Sequence, residues 1–277
     1  MISLTGSKVS LPVLKECTMS DLPVPIEPVI QIASEAGEAI MEIYRQDFEV
    51  FSKADSSPIT LADKRSNDII THGLKELSPA IPVISEESRQ TPYAIRKTWD
   101  WVWIVDPLDG TKEFVSKNGE FTVNIGLVYR GKPVAGVVLI PLTGVCYYAF
   151  GESSFKRVPG EKAIRLNRQL RHYTQKTKLK VVASRSHLTE EVKQFVRTLQ
   201  DEGKEVELVT SGSSVKFCIV AEGEADVYPR FGPTMEWDTA AAHAIATAAG
   251  RKVIRADNRQ PLVYNKESML NPWFIVE

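Results

Sequence analysis

The stretch WIVDPLDGTKEF, residues 103–114, closes a run of tryptophans and β-branched residues with two acids, Asp106 and Asp109, three positions apart. Trp101 to Val105 have the composition of a buried strand, so the pattern predicts a strand ending at Val105 with Asp106 at its C-terminal edge. A turn accounts for Pro107 and Gly110 but not for both carboxylates. Pro107 removes a backbone donor and Gly110 permits a tight path. The expectation is that the two carboxylates converge on one point, with backbone N–H groups around Gly110 and Thr111 facing an anion. Hard oxygen ligands of this kind suit Mg²⁺, which is held by few carboxylates together with substrate phosphate.

Working outward, the segments FTVNIGLVY (121–129), PVAGVVLI (133–140) and VCYYAF (145–150) read as further strands. The short turns between them suit antiparallel neighbours. Upstream, Val29, Ile32, Ala33, Ala36, Ile40 and Ile43 recur at helical spacing up to Tyr44. A second helix is expected from about Thr60, with Asp63 three residues on as a variant capping box. IPVISEES (81–88) reads as a short strand running into acids. Downstream the pattern alternates. LKVVAS (179–184) and VELVTSG (206–212) read as strands, and Val192, Phe195, Val196 and Leu199 as a helix face between them. A helix over about 213–222 follows, then ADVYPR. Asp238 opens the alanine-rich DTAAAHAIATAAG, which Gly250 is placed to end. An antiparallel β half joined to an alternating half makes this an α/β chain. With no repeat or linker in view, residues 23–277 are expected to form one domain, with halves at about 23–160 and 161–277, after a loosely attached extension over residues 1–22.

The formal net charge of −1 implies no general affinity for nucleic acid or anionic membrane. Cys17, Cys146 and Cys218 form no CxxC pair and suit unpaired thiols in a reducing compartment. His72, His172 and His243 lack zinc-like spacing and are expected on the surface or in packing. No run of about 18 apolar residues suggests a membrane span, and the N-terminus lacks a signal-peptide pattern. The default location is cytoplasmic.

Two more acids fit a site around Asp106 and Asp109. Glu86 ends the PVIS strand, and Asp238 begins a helix. Taken singly, Glu86 reads equally as a solvated loop acid and Asp238 as an N-cap. Asp63 reads as a helix-start acid and Thr111 as a turn hydroxyl. The DxxDGT pattern together with the earlier acidic pair and the late WDTAA helix start is much more specific than any one of them. A phosphatase with a DxDGT motif and a phosphorylated first aspartate is a competing chemistry, but its spacing is one residue shorter.

In this order, SEES (85–88), VDPLDGTKEF (105–114) and EWDTAAAHA (236–244) resemble the lithium-sensitive magnesium phosphatase superfamily, which includes inositol monophosphatases and fructose bisphosphatases. The similarity runs from about Pro28 to Glu277. SKADSSPIT, NGEFTVNIGLV, SRSH, GSSVKFCIVAEGEADVYPRFGPT and LNPWF narrow it to the bacterial CysQ-type branch of 3′(2′),5′-bisphosphate nucleotidases. The resemblance implies a layered αβαβα fold with an antiparallel sheet half and a mixed-sheet half. It implies two or three Mg²⁺ ions held by Glu86, Asp106, Asp109, Asp238 and the Leu108 carbonyl. Asp63 and Thr111 would orient and deprotonate the attacking water, and Gly110 and Thr111 would cradle phosphate. Ser184, His187, Gly212 and Lys216 match positions near the nucleotide, and Arg230 suits an anion by its charge. The implied substrate is a small nucleotide bisphosphate, adenosine 3′,5′-bisphosphate or its sulfated relative, in sulfate assimilation. Inositol monophosphatase or sugar bisphosphatase activity on the same scaffold is the alternative, and a non-catalytic binding protein is a third reading that nothing in the sequence favours. Relatives are sometimes peripheral at the inner membrane. One departure is Ala242, where relatives commonly carry glycine.

Overall fold

The computed structural model describes residues 22–46, 58–166, 172–184 and 189–277. The expected extension therefore lies outside the described residues apart from Leu22, and so do Cys17 and His187. The chain begins with helix α1 (Ile26–Tyr44) and helix α2 (Pro58–Leu77), which pack on each other. Strand β1 (Val83–Ser85), a single helical turn α3 (Tyr93–Arg96) and strand β2 (Trp101–Asp109) follow. After the short helix α4 (Thr111–Val115) come β3 (Thr122–Tyr129), β4 (Lys132–Ile140), β5 (Val145–Phe150), β6 (Ser153–Arg157) and β7 (Ile164–Arg165). These seven strands form one sheet in sequence order, antiparallel except for the parallel β1–β2 pair at its edge.

Both faces of this sheet are covered, which explains why its strands read as continuous apolar runs rather than alternating ones. Trp103 and Val105 of β2, with Val123, Ile125 and Leu127 of β3, pack under α1 and α2. Val102 and Ile104, with Val128 and Val138, point the other way, into a second cluster. That cluster is closed by helix α6 (Val215–Glu222) and helix α7 (Ala240–Ala248). The alanines of α7 have a partner on the sheet. A Cβ built on Gly126 would stand 2.8 Å from the Ala241 nitrogen, and one on Gly136 2.3 Å from the Ala241 carbonyl oxygen. Small residues on both sides thus let the helix backbone lie directly on the sheet, and Ala242 is fully buried there without a glycine.

The second half supplies β8 (Lys178–Ser184), helix α5 (Glu190–Asp201), β9 (Glu205–Ser211), β10 (Tyr228–Arg230), β11 (Val253–Arg255) and β12 (Phe274–Val276). β8 and β9 are parallel, whereas β10, β12 and β11 are antiparallel. A parallel bridge from Val181 to Val227 links the two groups into a mixed arrangement. A third apolar cluster, including Val196, Leu199, Val227 and Ile275, lies between these strands and α5. The layers run helix, sheet, helix, sheet, helix. Cys146 and Cys218 are buried free thiols, and His243 is buried with its Nδ1 2.9 Å from the Tyr264 hydroxyl.

Two boundaries differ from the sequence reading. α2 starts at Pro58, so Thr60 lies in its first turn and does not cap it. β2 does not stop at Val105. Asp106 still pairs with Asn124, and after an irregularity Asp109 pairs with Thr122. The strand continues because β3 offers ladder partners beyond the proline, and the bulge re-aims the two acids.

Candidate active site

The irregularity in β2 puts Asp106 and Asp109 on the same end of the sheet. Asp106 is buried and accepts from the Leu108 N–H at 3.1 Å. Gly110 then adopts a left-handed φ of 96°, where any Cβ would meet the Glu120 carbonyl at 3.2 Å, and α4 starts at Thr111. The turn is held from behind. Ser66 on α2 donates to the Pro107 carbonyl at 2.7 Å, and Ser85 of β1 donates to Asn67 Oδ1 at 2.7 Å. Those bonds bring α2, and with it Asp63, against the end of β1, where Glu86 follows.

Carboxylate oxygens of Glu86, Asp106 and Asp238 lie within 4.8 Å of one another. Asp238 comes from the far half of the chain, just ahead of α7. It is not the helix N-cap; that residue is Thr239, and the Asp238 carboxylate accepts from the Met235 N–H at 2.8 Å. Asp109 stands beside this triad and is gripped separately. Its Oδ2 accepts from the Ser214 N–H at 2.6 Å and lies 3.4 Å from Asn124 Nδ2. Asn124, Thr122 and Ser214 are all buried and joined to each other, with Ser214 Oγ 2.7 Å from Asn124 Oδ1. Sequence reasoning missed this group. Its signal was there: Asn124 is the lone strongly polar side chain inside the apolar run of β3.

The electrostatics follow from crowding like charges around the buried Asp106, with Glu86 at the exposed edge of the cluster. Burial pushes the Asp106 carboxyl far up, with Asp109, Asp238, Glu86 and Asp63 adding repulsion. Burial and then Asp109 push Asp238 up to about 7. Burial, then Glu87 and Glu86, push Asp63 up to about 8. Glu86 is raised by burial, Glu87 and Asp109. Asp109 is raised by burial, against the pull of Lys216 and the Ser214 N–H. This many acids with so little opposing charge form a site that a cation would relax, and the donors are all hard oxygens.

Asp109 and Asp238 also line the wall of a cavity of about 370 Å³, within the range of small-ligand sites. Gly110, Thr111, Ser184, Gly212, Lys216 and Arg230 line it too, so these sequence-selected residues share one chamber. Thr111 is exposed at the start of α4. Lys216 is not a solvated helix lysine. It is 6% exposed, donates to the Ser213 carbonyl at 2.6 Å, and burial pushes it down to about 8, opposed by Asp109. Gly212 has a packing duty as well, because a Cβ there would sit 2.8 Å from Glu113 Cγ and 2.9 Å from the Glu120 carbonyl. Among the described residues, no helix is long and apolar enough to cross a membrane.

A sequence profile of the inositol monophosphatase family matches residues 24–273. The chain is 45% identical over 254 residues to the 3′(2′),5′-bisphosphate nucleotidase CysQ of Escherichia coli (strain K12), covering 91% of this chain and 98% of that one. It is 32% identical over 253 residues to the CysQ nucleotidase of Haemophilus influenzae, with 91% of each chain covered. The solved structure of CysQ from Bacteroides thetaiotaomicron superposes with a TM-score of 0.81 at 47% identity, covering 90% of this chain and 95% of that one. Inositol monophosphatase II of Staphylococcus aureus, at 22% identity and a TM-score of 0.68 over 90% of this chain and 89% of that one, shares the fold. With the layers, the acidic cluster and the profile all in agreement, the chain belongs to the inositol monophosphatase family.

Proposed function

We propose that the protein is a Mg²⁺-dependent 3′(2′),5′-bisphosphate nucleotidase that converts adenosine 3′,5′-bisphosphate, and by the same chemistry its sulfated relative, to the 5′-nucleotide and inorganic phosphate. The observation that carries this reading is a single chamber lined by the acids Asp109 and Asp238 and by the buried Lys216, next to the cluster of Glu86, Asp106 and Asp238. The high identity to CysQ nucleotidases over nearly the whole chain supports the substrate class. Glu86, Asp106, Asp109, Asp238 and the Leu108 carbonyl would hold the metal. Bound there, Mg²⁺ would supply Lewis acidity toward the phosphate and a lowered pKa for the attacking water.

The chain's own residues do the rest. Burial, with Glu87 and Glu86 close by, favours a proton on the Asp63 carboxylate in the metal-free protein, and Asp63 would take the proton of the attacking water. Thr111, on the chamber wall with Asp109 and Asp238, would pass the proton toward Asp63. Asn124, Thr122 and Ser214 hold Asp109 in one rotamer, so the reacting phosphate meets a fixed wall. The first turn of α4, with Gly110 and Thr111, offers N–H groups to the scissile phosphate. Lys216 and Arg230 give the second phosphate a cationic seat, and Ser184, His187 and Gly212 complete the nucleotide contacts. His187 takes this role from the family pattern, since it lies outside the described residues.

The test is a panel of phosphorylated substrates compared by kcat/KM. Adenosine 3′,5′-bisphosphate should rank above inositol monophosphate and fructose 1,6-bisphosphate. A higher kcat/KM on either of the latter would reject the nucleotide assignment.

A further inference from the structure

We propose that Lys266 and Asn271 are positioning residues for Asp238: through Glu236 and the backbone of residues 234–239 they set where that carboxylate stands. The inference rests on reading Asp238 as a metal ligand. Between β10 and α7 the chain has neither a strand nor a helix to fix it. Its polar groups are taken up instead by residues 265–271. The Glu236 N–H donates to the Met269 carbonyl at 2.8 Å, and the Asn271 N–H donates to the Thr234 carbonyl at 2.8 Å. The Asn271 side chain donates to the Met235 carbonyl at 2.8 Å and to Thr239 Oγ1 at 3.0 Å. Met235 and Thr239 flank the segment Glu236–Trp237–Asp238. Met235 is also the one whose N–H holds Asp238 Oδ2. A shift of Asn271 therefore moves the donor that orients the ligand.

Glu236 is the second anchor. It has no exposed surface, and its carboxylate accepts from the Lys266 N–H at 3.1 Å, from the Asn265 N–H and from the Lys266 ammonium. An ion pair between a fully buried carboxylate and a half-buried ammonium gains little net stability over apolar residues of the same size, and removing the ammonium leaves the Glu236 charge stranded. Such a pair is better explained by the geometry it enforces. The clamp is itself fixed to the first half of the chain. Arg96, buried on α3, donates to Asn265 Oδ1 at 2.9 Å and to the Glu267 carbonyl at 2.7 Å. Arg96 and Asn265 are 169 residues apart in sequence, and hydrogen bonds from Arg96 to Asn265 and from Asn265 to Glu236 tie the first half of the chain to the backbone that carries Asp238.

The experiment titrates Mn²⁺ into substrate-free protein and reads free Mn²⁺ by electron paramagnetic resonance, with circular dichroism to verify folding. Groups that hydrogen-bond a metal ligand directly are worth about ten- to a hundred-fold in affinity; Lys266 and Asn271 act one step further out, so Lys266→Met and Asn271→Ala should weaken Mn²⁺ binding by about the lower of these factors. Ile254→Val, a small cavity in the third apolar cluster, should lower Tm and leave the isotherm alone, which separates stability from positioning. Glu236→Gln keeps the side-chain shape and one of the two oxygens that accept from the Asn265 and Lys266 N–H groups, and carries the test if the other two do not fold. Its binding should fall as well. Unchanged isotherms in folded variants overturn the inference while the metal reading survives. Absence of Mn²⁺ binding by the unaltered protein overturns both.

Discussion

Replacing Lys216 by methionine keeps an unbranched apolar side chain one atom shorter and removes its charge. The ammonium sits in the cavity wall, donating to the Ser213 carbonyl at 2.6 Å and lying 5.7 Å over the Tyr228 ring. Burial lowers its pKa to about 8, so at pH 7 it remains mostly protonated and presents a cation to the chamber. A charge-assisted hydrogen bond to a phosphate is worth about 1.5–3 kcal/mol, which is roughly 10- to 150-fold in affinity. KM for adenosine 3′,5′-bisphosphate should rise by that factor. A small monophosphate, which has no second phosphate to place, should show little change in KM. Losing the lysine also removes the attraction that opposes the rise of the Asp109 pKa, so both substrates are compared at saturating Mg²⁺ and the ratio is the readout. A second arm uses pH. In the unaltered protein KM for the bisphosphate should climb above about pH 8, as the lysine loses its proton, and this climb should vanish in Lys216→Met. Equal losses on both substrates, or the same pH climb in the variant, would refute the assignment of Lys216 to the second phosphate.

Asp106→Asn should leave the fold intact and lower turnover by orders of magnitude, because a neutral amide is a poor metal ligand at the centre of the acidic cluster; kcat close to native in a folded variant would remove Asp106 from the metal site. Thr111→Ala should lower kcat much more than it weakens metal binding, which Mg²⁺ titration of rate and calorimetry separate; a collapsed metal isotherm with normal rate at saturation would reverse that role. In metal-free protein, Asp238 and Asp63 hold protons up to about pH 7 and 8, although their ordinary value is 3.8. The native state then binds more protons than the unfolded chain between pH 4 and 8. Tm of the metal-free protein should therefore fall as pH rises through that window, and Mg²⁺ should raise Tm more at pH 8 than at pH 5. A Tm that rises with pH in the absence of metal would contradict the crowding of these acids.

Much of this was legible in the sequence because it is local. The helical spacing up to Tyr44 and the apolar runs of β2 to β5 foretold those elements. The four acids were found from two motifs and a helix start, and three of them meet within 4.8 Å. What escaped is long-range. Glu236 and Lys266 are each ordinary surface-type residues until the fold buries the glutamate and brings the half-buried lysine onto it. Asn124 looks like a blemish in a strand until Ser214, from the other half of the chain, arrives to bond with it. The run of β2 past Pro107 depended on the ladder that β3 offers, which periodicity within β2 does not contain. Lys216 was selected as a residue near the nucleotide, but its burial follows from the packing of α6 against α7, β8 and β10 and not from its neighbours in sequence.

The most direct measurement is inorganic phosphate release from adenosine 3′,5′-bisphosphate by metal-stripped protein as Mg²⁺ is titrated back. The predicted result is no release in chelator, then a saturable rise with Mg²⁺ that leaves AMP as the nucleotide product. Release that persists in chelator, or phosphate trapped covalently on Asp106 during turnover, would contradict the account.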